Sequence, residues 1–221
     1  KRQVLGEGGE VLKVEGSTLP PDWVAAVEAI ADGGRPSVVI VVGDVDSGKT
    51  AFTTLVSNHL VLKGYQVAVV DGDVGQSDIG PPTTVGFALL TKPVADLFSA
   101  EPVEMEFIGN TNPYTSAERI ASAIASLAKK ALERGADYVT VNTDGWVQGE
   151  EAIRYKLSII KKTSPRHVIA LGEGEAIKQI LSMCPPNVSC ITLSPASNVA
   201  KKRERDVRKQ LREQGYRRYL K

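Results

Sequence analysis

The chain has 221 residues, of which 42% are hydrophobic and 24% charged, proportions that exclude a disordered segment and indicate a globular domain. No apolar run approaches the roughly 20 residues that cross a bilayer, so we expect no membrane contact. Two cysteines, Cys184 and Cys190, are too few for a disulfide framework, and a reducing, cytoplasmic location is the default expectation. Cys190 lies in an apolar run, which predicts a buried side chain.

The net charge of +1 is distributed unevenly along the chain. Residues 201–221 carry ten basic and three acidic side chains, so the rest of the chain is mildly acidic. This asymmetry favours local contact with phosphate groups over a surface that coats nucleic acid uniformly. His59 and His167 lie in no metal-ligand spacing, and we interpret them as structural or surface residues.

The first predicted element is an extended or β-rich lead-in over residues 1–22, which mixes glycines with alternating apolar positions. A helix opens at Pro20, Pro21 and Asp22 and ends at Gly33. Residues 37–42 then form an apolar, β-branched run that is typical of a buried strand.

A glycine-rich stretch with the pattern Gly-x-x-x-x-Gly-Lys-Thr follows this strand, and a predicted helix from Ala51 to Lys63 follows the stretch. This context is typical of a P-loop, whose successive N–H groups face an anion at the helix N-terminus. Lys49 is predicted to contact the terminal phosphates, and the Thr50 hydroxyl to bind Mg²⁺. The residues predicted to bind the nucleotide are Gly43, Asp44, Val45, Asp46, Ser47, Gly48, Lys49, Thr50 and Ala51.

Apolar runs alternate with helical segments along the rest of the chain. This alternation indicates a mostly parallel sheet that is covered on both faces, so the predicted fold is α/β, a three-layer P-loop NTPase-like fold. Residues 23–221 are predicted to form one domain. Strands are predicted at residues 65–70, 104–108, 138–142, 166–171 and 188–193, and helices at 116–134, 150–162, 173–183 and 198–214.

Two aspartates, Asp71 and Asp73, follow the second strand, where ligands of open α/β sheets gather. Residues two apart point to the same side only while the backbone remains extended. On a strand next to that of the P-loop, one aspartate is predicted to support Mg²⁺ and the other to face an incoming hydroxyl. The alternative is an Asp-rich turn that ends the strand.

Two polar loops follow later strands. Residues 109–114 are predicted either to grip a triphosphate opposite the P-loop or to form a polar turn with Ser116 as a helix cap. Trp146 stands between two glycines just beyond a strand end. It is interpreted either as a stacking surface for a base, which favours a nucleoside or nucleic-acid substrate, or as a side chain packed under the next helix.

The last predicted helix is basic and includes Arg203, Arg205, Arg208 and Arg212. Arginines that lie over a P-loop stabilise charge on a transferring phosphoryl group. The same pattern is typical of a solvated helix face, or of a tail that binds a phosphate backbone without chemistry.

Taken together, these stretches resemble the polynucleotide 5′-hydroxyl-kinase family, which includes RNA kinases of cleavage and polyadenylation, of nucleolar rRNA processing and of archaea. The resemblance covers about residues 37–221. The motifs that carry it are the P-loop with Asp46 in place, Asp71-x-Asp73-x-Gly75-Gln76, Phe107-Ile108-Gly109-Asn110-Thr111-Asn112-Pro113, Asn142-Thr143-x-Gly145-Trp146-Val147-x-Gly149, and the arginine-bearing segment 203–220.

The resemblance implies a kinase in RNA processing that uses ATP and Mg²⁺ to phosphorylate the 5′-hydroxyl end of RNA, with DNA left open as an acceptor. It implies that Lys49 contacts the β- and γ-phosphates, that Asp73 activates the hydroxyl, and that Asp71 supports the metal or its water shell. A lid over about residues 196–221 would supply Arg203 and Arg208. Thr50, Asp71 and Asp73 form the implied metal set, and the implied acceptor residues are Gln76, Thr111, Asn112, Thr143 and Trp146.

Other functions stay open at this point. A non-catalytic ATP-binding scaffold of an RNA-processing complex would share the P-loop, and so would an ATPase switch. The Trp146 loop and the basic helix argue against a small-molecule kinase. The sequence identifies no protein partner.

Overall fold

The computed structural model describes residues 19–196 and 205–219, and in the last helix it describes side chains from Lys209 onward. Residues 1–18 of the predicted lead-in and residues 197–204 of the predicted lid lie outside the described residues. The described helices are α1 (Pro21–Asp32), α2 (Lys49–Leu62), α3 (Ala117–Glu133), α4 (Glu150–Thr163), α5 (Glu175–Ser182) and α6 (Arg205–Tyr219), with 3₁₀ helices at Leu97–Ser99 and Pro113–Ser116. In these segments, no helix has the length and apolar character of a membrane span.

A single sheet organises the described chain. Its strands are β1 (Ser37–Gly43), β2 (Val67–Asp71), β3 (Thr84–Leu90), β4 (Glu104–Phe107), β5 (Tyr138–Asn142), β6 (His167–Leu171) and β7 (Ser189–Leu193). Their order in the sheet is β4-β3-β2-β5-β1-β6-β7. Strands β2, β5, β1, β6 and β7 are parallel, and β3 is antiparallel to both of its neighbours.

Helices cover both faces of the sheet, which confirms the predicted three-layer α/β fold. Alternate residues of β1 point to opposite faces. Val38, Ile40 and Val42 pack with the apolar residues of α3, α4 and α5. Val39 and Val41 pack with α1 and α2 on the other face. Because both faces are buried, the strand is apolar at every position from 38 to 42 rather than at alternate ones.

Strand β3 was not predicted from the sequence, which indicated no strand between residues 65–70 and residues 104–108. Gly86 in its middle weakens the strand pattern, since a glycine offers no side chain to pack. The structure explains this glycine, because a Cβ at position 86 would lie 2.3 Å from the carbonyl oxygen of Ile79. Backbone contact with the loop after β2 therefore requires glycine in this strand.

Two further expectations were wrong. Strand β2 does not lie next to β1. The crossover through α2 leaves one position between these two strands, and β5 occupies that position and pairs with both. Cys190 is exposed rather than buried. Cys190 lies on β7, an edge strand of the described sheet on which Ser189 and Thr192 are exposed as well, so this part of the strand is not covered by other elements.

Candidate active site at the strand ends

The P-loop turns sharply between β1 and α2, and its glycines are required for that turn. Gly48 has φ +100°, and a Cβ there would lie 2.6 Å from the Cβ of Ala196. A Cβ at Gly43 would lie 2.6 Å from the Ser47 hydroxyl and 2.9 Å from the Leu171 carbonyl oxygen. The backbone can therefore curl tightly at the positive end of α2, where anions are favoured.

Lys49 stands at the first position of α2 and is 7% exposed. Its Nζ donates a hydrogen bond of 2.6 Å to the carbonyl oxygen of Asp44 in the loop. Burial lowers the pKa of Lys49 to about 8, while the Asp73 carboxylate acts in the opposite direction. A further negative group near Nζ would stabilise the charged form.

One cavity of about 650 Å³, here named the central cavity, unites most of the predicted site. This volume falls within the range of about 300–1,000 Å³ that is usual for ligand pockets. Asp44, Val45, Asp46, Gly48, Lys49, Thr50, Ala51, Asp73, Gln76, Thr111, Thr143 and Trp146 line it, together with Gly75, Asp78, Pro113, Asp144, Gly145, Val147, Gln148, Ala196 and Arg212.

Several predicted residues do not line the central cavity. Asp71 is fully buried beneath it. The Asn112 side chain accepts a hydrogen bond of 3.1 Å from the N–H of Tyr114, and so caps the 3₁₀ helix that follows. Arg203 lies outside the described residues, and so does the side chain of Arg208.

Asp73 lies at the cavity wall in a turn rather than in an extended strand. Its Oδ1 accepts hydrogen bonds of 3.0 Å from the N–H groups of Gly75 and Gln76. Burial raises the pKa of Asp73, the Asp144 carboxylate raises it further, and Lys49 opposes both. Gly75 is needed here because a Cβ would lie 3.0 Å from the carbonyl oxygen of Thr111 in the 109–114 loop.

Asp71 and Asp73 have different surroundings because β2 ends at Asp71 and the chain then turns. Both of its carboxylate oxygens receive donors: the N–H groups of Asp73 (3.2 Å), Asp78 (2.6 Å) and Ile79 (3.2 Å), the Ser77 hydroxyl (3.4 Å) and the Asn142 amide (3.1 Å). Burial, with the carboxylates of Asp78 and Asp73, raises the pKa of Asp71 to about 7, and the N–H groups of the same two residues oppose this. The aspartate thus shapes the loop that carries Asp73.

Asn142 joins three elements of the site. Its Nδ2 donates to Asp71 Oδ1 at 3.1 Å and to the Thr50 hydroxyl at 3.3 Å. The end of β5 therefore connects the end of β2 with the start of α2. Thr143, the next residue, is buried, and its hydroxyl donates 2.8 Å to the carbonyl oxygen of Val41.

A buried network formed by Asp144, Tyr155 and Lys156 was not predicted from the sequence. Lys156 Nζ lies 3.0 Å from Asp144 Oδ2 and donates 2.9 Å to the Asp144 carbonyl oxygen. The Tyr155 hydroxyl donates to the same Oδ2 at 2.7 Å. Burial lowers the pKa of Lys156, and Asp144 opposes that shift. The available signal was a lysine on the apolar stripe of α4, between Ile153 and Ile159.

Trp146 packs against the next helix, which was one of its two predicted placements, and it also lines the central cavity. The ring stacks on Tyr155 of α4, with centroids 5.7 Å apart and planes at 25°, and meets Tyr114 edge-on at 5.6 Å. The Trp146 N–H donates 2.8 Å to Asp144 Oδ1, so the buried network also fixes the backbone of this residue.

Helix α6 reaches the central cavity through Arg212. Its far end is docked on the opposite side of the 76–82 loop, where the Tyr219 hydroxyl accepts 3.3 Å from the Gly80 N–H. Arg218 pairs with Glu101 at 3.0 Å and lies over the Phe98 ring at 4.6 Å. The basic helix is therefore not only a solvated surface.

The donor set of the cavity fits a hard cation. Thr50 contributes a hydroxyl, and the carboxylates of Asp44, Asp46, Asp73, Asp78 and Asp144 lie around the same space. Among the described residues, no three His, Cys, Asp or Glu side chains form a ready metal cluster. Mg²⁺ needs no such cluster, because it keeps several waters and binds through one or two protein oxygens and substrate phosphates.

Comparisons with known proteins point to one family. Residues 43–221 match the family model described as mRNA cleavage and polyadenylation factor CLP1 P-loop. A polyribonucleotide 5′-hydroxyl-kinase of Methanocaldococcus jannaschii is 33% identical over 92% of this chain and 55% of its own length. A Pyrococcus furiosus protein of that name is 32% identical over 91% of this chain and 56% of its own length. A CLP1 homologue of Culex quinquefasciatus is 31% identical over 87% of this chain and 47% of its own length.

Among solved structures, Clp1p in its complex with Pcf11p matches with a TM-score of 0.72 over 90% of this chain and 53% of its own. Its sequence is 14% identical, so the match shows the fold. The chain spans about half the length of the curated relatives it matches.

Proposed function

This chain belongs to the CLP1 P-loop family of mRNA cleavage and polyadenylation factors, and from that membership we propose that it is an ATP-dependent polynucleotide 5′-hydroxyl-kinase acting on RNA. The observation that carries the proposal is that Lys49 and Asp73 line one cavity, a cation at the P-loop facing the same space as an acid from another strand end. Five archaeal relatives named polyribonucleotide 5′-hydroxyl-kinase, at 30–33% identity, support the choice of substrate.

In the proposed reaction, the 5′-oxygen of the acceptor bonds to the γ-phosphorus of ATP, and the bond from that phosphorus to the β–γ bridging oxygen breaks. The products are ADP and a 5′-phosphorylated strand. Asp73 Oδ1 is held by two N–H groups, and in the described part of the chain Oδ2 makes no hydrogen bond, so this oxygen is suited to take the hydroxyl proton.

Charge on the transferred group would be balanced by the chain's own cations. Lys49 would leave the Asp44 carbonyl to contact the β- and γ-phosphates, and Arg203 and Arg208 remain the proposed lid arginines. Mg²⁺, held by Thr50 and, through water, by Asp73, would neutralise phosphate charge. Asp71 would act at a distance, since its contact with Asn142 orients the Thr50 hydroxyl.

The acceptor end would lie between Trp146, Thr111 and Gln76, which line the wall around Asp73. Trp146 offers a face for the terminal base, and base–aromatic stacking contributes about 1–3 kcal/mol. Cytoplasmic location is part of the proposal and is supported by two free thiols, Cys184 and Cys190.

Transfer of label from γ-³²P-ATP to a 5′-hydroxyl oligonucleotide tests the proposal. We expect labelled RNA with purified protein and Mg²⁺, and a matched DNA strand measures acceptor preference. Binding of ATP without transfer to either strand would reject the kinase and support a scaffold. ATP hydrolysis that needs no acceptor would instead indicate a switch ATPase.

A further inference from the structure

A second cavity of about 410 Å³, here named the side cavity, lies beside the central one. The two share Trp146, which lines both. The side cavity opens between the start of α3 and the first turns of α4, and its walls include Tyr114, Ala117, Glu118, Trp146, Arg154 and Tyr155. A ligand in the central cavity could therefore continue past Trp146 without leaving the surface of the protein.

The walls of the side cavity offer aromatic rings in a fixed arrangement. Tyr155 is buried, its hydroxyl is bound to Asp144, and Trp146 stacks on it. Tyr114 is 55% exposed and meets Trp146 edge-on, and its backbone is held by the Asn112 cap. A tyrosine that is held in place yet half open to solvent presents a free ring face, which is what a flat aromatic ligand requires.

The charges around the side cavity disfavour a phosphate. Arg154 is paired with Glu150 at 2.8 Å. Glu118 is paired with Lys162 at 2.8 Å and also accepts from the Ser158 hydroxyl at 3.1 Å. Glu151 makes no ion pair in the described part of the chain, so the balance at the wall is slightly negative. Such a surface suits the uncharged ring of a nucleobase, with polar groups within reach of its edge, rather than the backbone.

The side cavity is also separate from the elements that hold the donor. None of its lining residues comes from the P-loop, from α2 or from the 194–196 segment beside Gly48. All come from the 3₁₀ helix before α3, from α3, from the Trp146 loop or from α4. A base of the acceptor strand is therefore a better occupant than the adenine of ATP.

The geometry points to the side cavity as a subsite for a nucleobase downstream of the acceptor's 5′-terminal nucleotide, with Tyr114 as its stacking surface. This inference rests on the proposed function, since it assumes a polynucleotide acceptor whose 5′ end lies at Asp73. Trp146 then separates the terminal nucleotide from those that follow. The consequence is that affinity increases once the acceptor is long enough to pass Trp146.

Binding measurements with acceptors of different length test this inference without requiring turnover. The probes are a 5′-hydroxyl RNA decamer labelled at its 3′ end, with adenosine 3′-phosphate and ATP as competitors. For Tyr114→Ala we expect the decamer Kd to rise about five- to hundredfold, the range that loss of one stacked base predicts. The Kd values of adenosine 3′-phosphate and ATP should change less than twofold, and Tyr114→Phe should behave as wild type.

Phe107→Ala is the matched control, because Phe107 is an aromatic that is 68% exposed and lines neither cavity. Ala117→Trp, which fills the side cavity, should reproduce the effect of Tyr114→Ala on the decamer. An unchanged decamer Kd, an equal loss for adenosine 3′-phosphate, or a loss confined to ATP would each overturn the inference. Length-dependent binding without label transfer would reject the kinase proposal and leave this subsite intact.

Discussion

Strands β2 and β5 lie side by side, and each ends in a polar residue that is followed two positions later by an aspartate. Asp71 pairs with Asn142 across the strands, and Asp73 and Asp144 follow them into the central cavity. Asp71 and Asn142, the first residues at the two strand ends, are both buried, and the Asn142 amide donates a hydrogen bond of 3.1 Å to the Asp71 carboxylate. The second residues, Asp73 and Asp144, are both aspartates at the wall of the central cavity.

The two wall aspartates differ in what holds them. Asp144 is fixed by a buried lysine, a tyrosine hydroxyl and the Trp146 N–H. Asp73 is held at one oxygen by two backbone N–H groups. Both carboxylate oxygens of Asp144 already accept hydrogen bonds, whereas Asp73 Oδ2 accepts none in the described part of the chain and can take a proton. The surroundings, rather than the residue type, therefore separate the proposed general base from the structural aspartate.

The largest expected effect separates these two aspartates directly. Asp73→Asn should lower kcat by about 10²–10⁴-fold, the usual contribution of a general base, with ATP affinity within about twofold of wild type. Asp144→Asn should instead lose mainly stability, because it leaves Lys156 buried opposite a neutral side chain. Label transfer and urea unfolding on both variants make the comparison. Equal kcat losses in two folded variants would assign chemistry to Asp144 as well.

Removal of Lys156 tests only the buried network beyond the end of β5. Lys156→Met should lower the free energy of unfolding by about 3–5 kcal/mol, since it leaves Asp144 as an uncompensated buried charge. Lys129→Met is the control: that lysine is 78% exposed, and we expect a change within about 0.5 kcal/mol. The double variant Lys156→Met with Asp144→Leu should regain much of the loss in urea titrations. A loss below about 1 kcal/mol in the single variant would contradict a buried ion pair.

The sequence predicted the features of both strand ends that depend on local pattern. Strand β5 occurs at the predicted residues 138–142, and the P-loop is followed at once by its helix. Local pattern does not determine the order of parallel strands, so the insertion of β5 between β1 and β2 had to come from the structure. Strand β3 was not predicted, because Gly86 has a low strand propensity and is required instead for the close backbone contact with Ile79.

The candidate site was predictable only where one residue type implies one chemistry. Lys49, Thr50 and Asp73 stand in motifs whose spacing carries the meaning, and the structure brings them to one cavity. Lys156 was missed because a lysine in a helix usually faces solvent, and only its partner Asp144 explains its burial. The roles of Asp71 and Thr143 depend on where their oxygen atoms point, which a sequence does not specify.

A smaller effect is expected in the pH dependence of stability, and it comes from Asp71 at the end of β2 and from Lys49 at the P-loop. Asp71 has its pKa raised to about 7 from 3.8, so its contribution to stability is complete below pH 3.8 and is lost as pH rises through 7. Lys49 has its pKa lowered from 10.5 to about 8, so its contribution is present above 10.5 and is lost as pH falls through 8. The two contributions together predict a minimum of stability between about pH 7 and 8.

Each limb of this minimum should have a slope of at most about 1.4 kcal/mol per pH unit for one proton. Urea unfolding in half-unit steps from pH 5 to 10 measures both limbs. Lys49→Met should remove the rise above pH 8 and leave the fall below pH 7. A stability that stays level from pH 5 to 7 would show that Asp71 is ionised in the folded chain throughout that range.

The smallest expected effect concerns two threonines that line the central cavity and were both predicted to contact the acceptor. Thr143 is buried, and its hydroxyl is bound to the Val41 carbonyl. Thr143→Val should therefore cost about 0.5–1.5 kcal/mol of stability and leave the KM for RNA within twofold. Thr111 is exposed on the loop above Gly75, so Thr111→Val should raise that KM several-fold with stability within about 0.5 kcal/mol. A raised KM in Thr143→Val at unchanged stability would mean that its hydroxyl leaves Val41 for the acceptor, and the β5 end would then share directly in substrate binding.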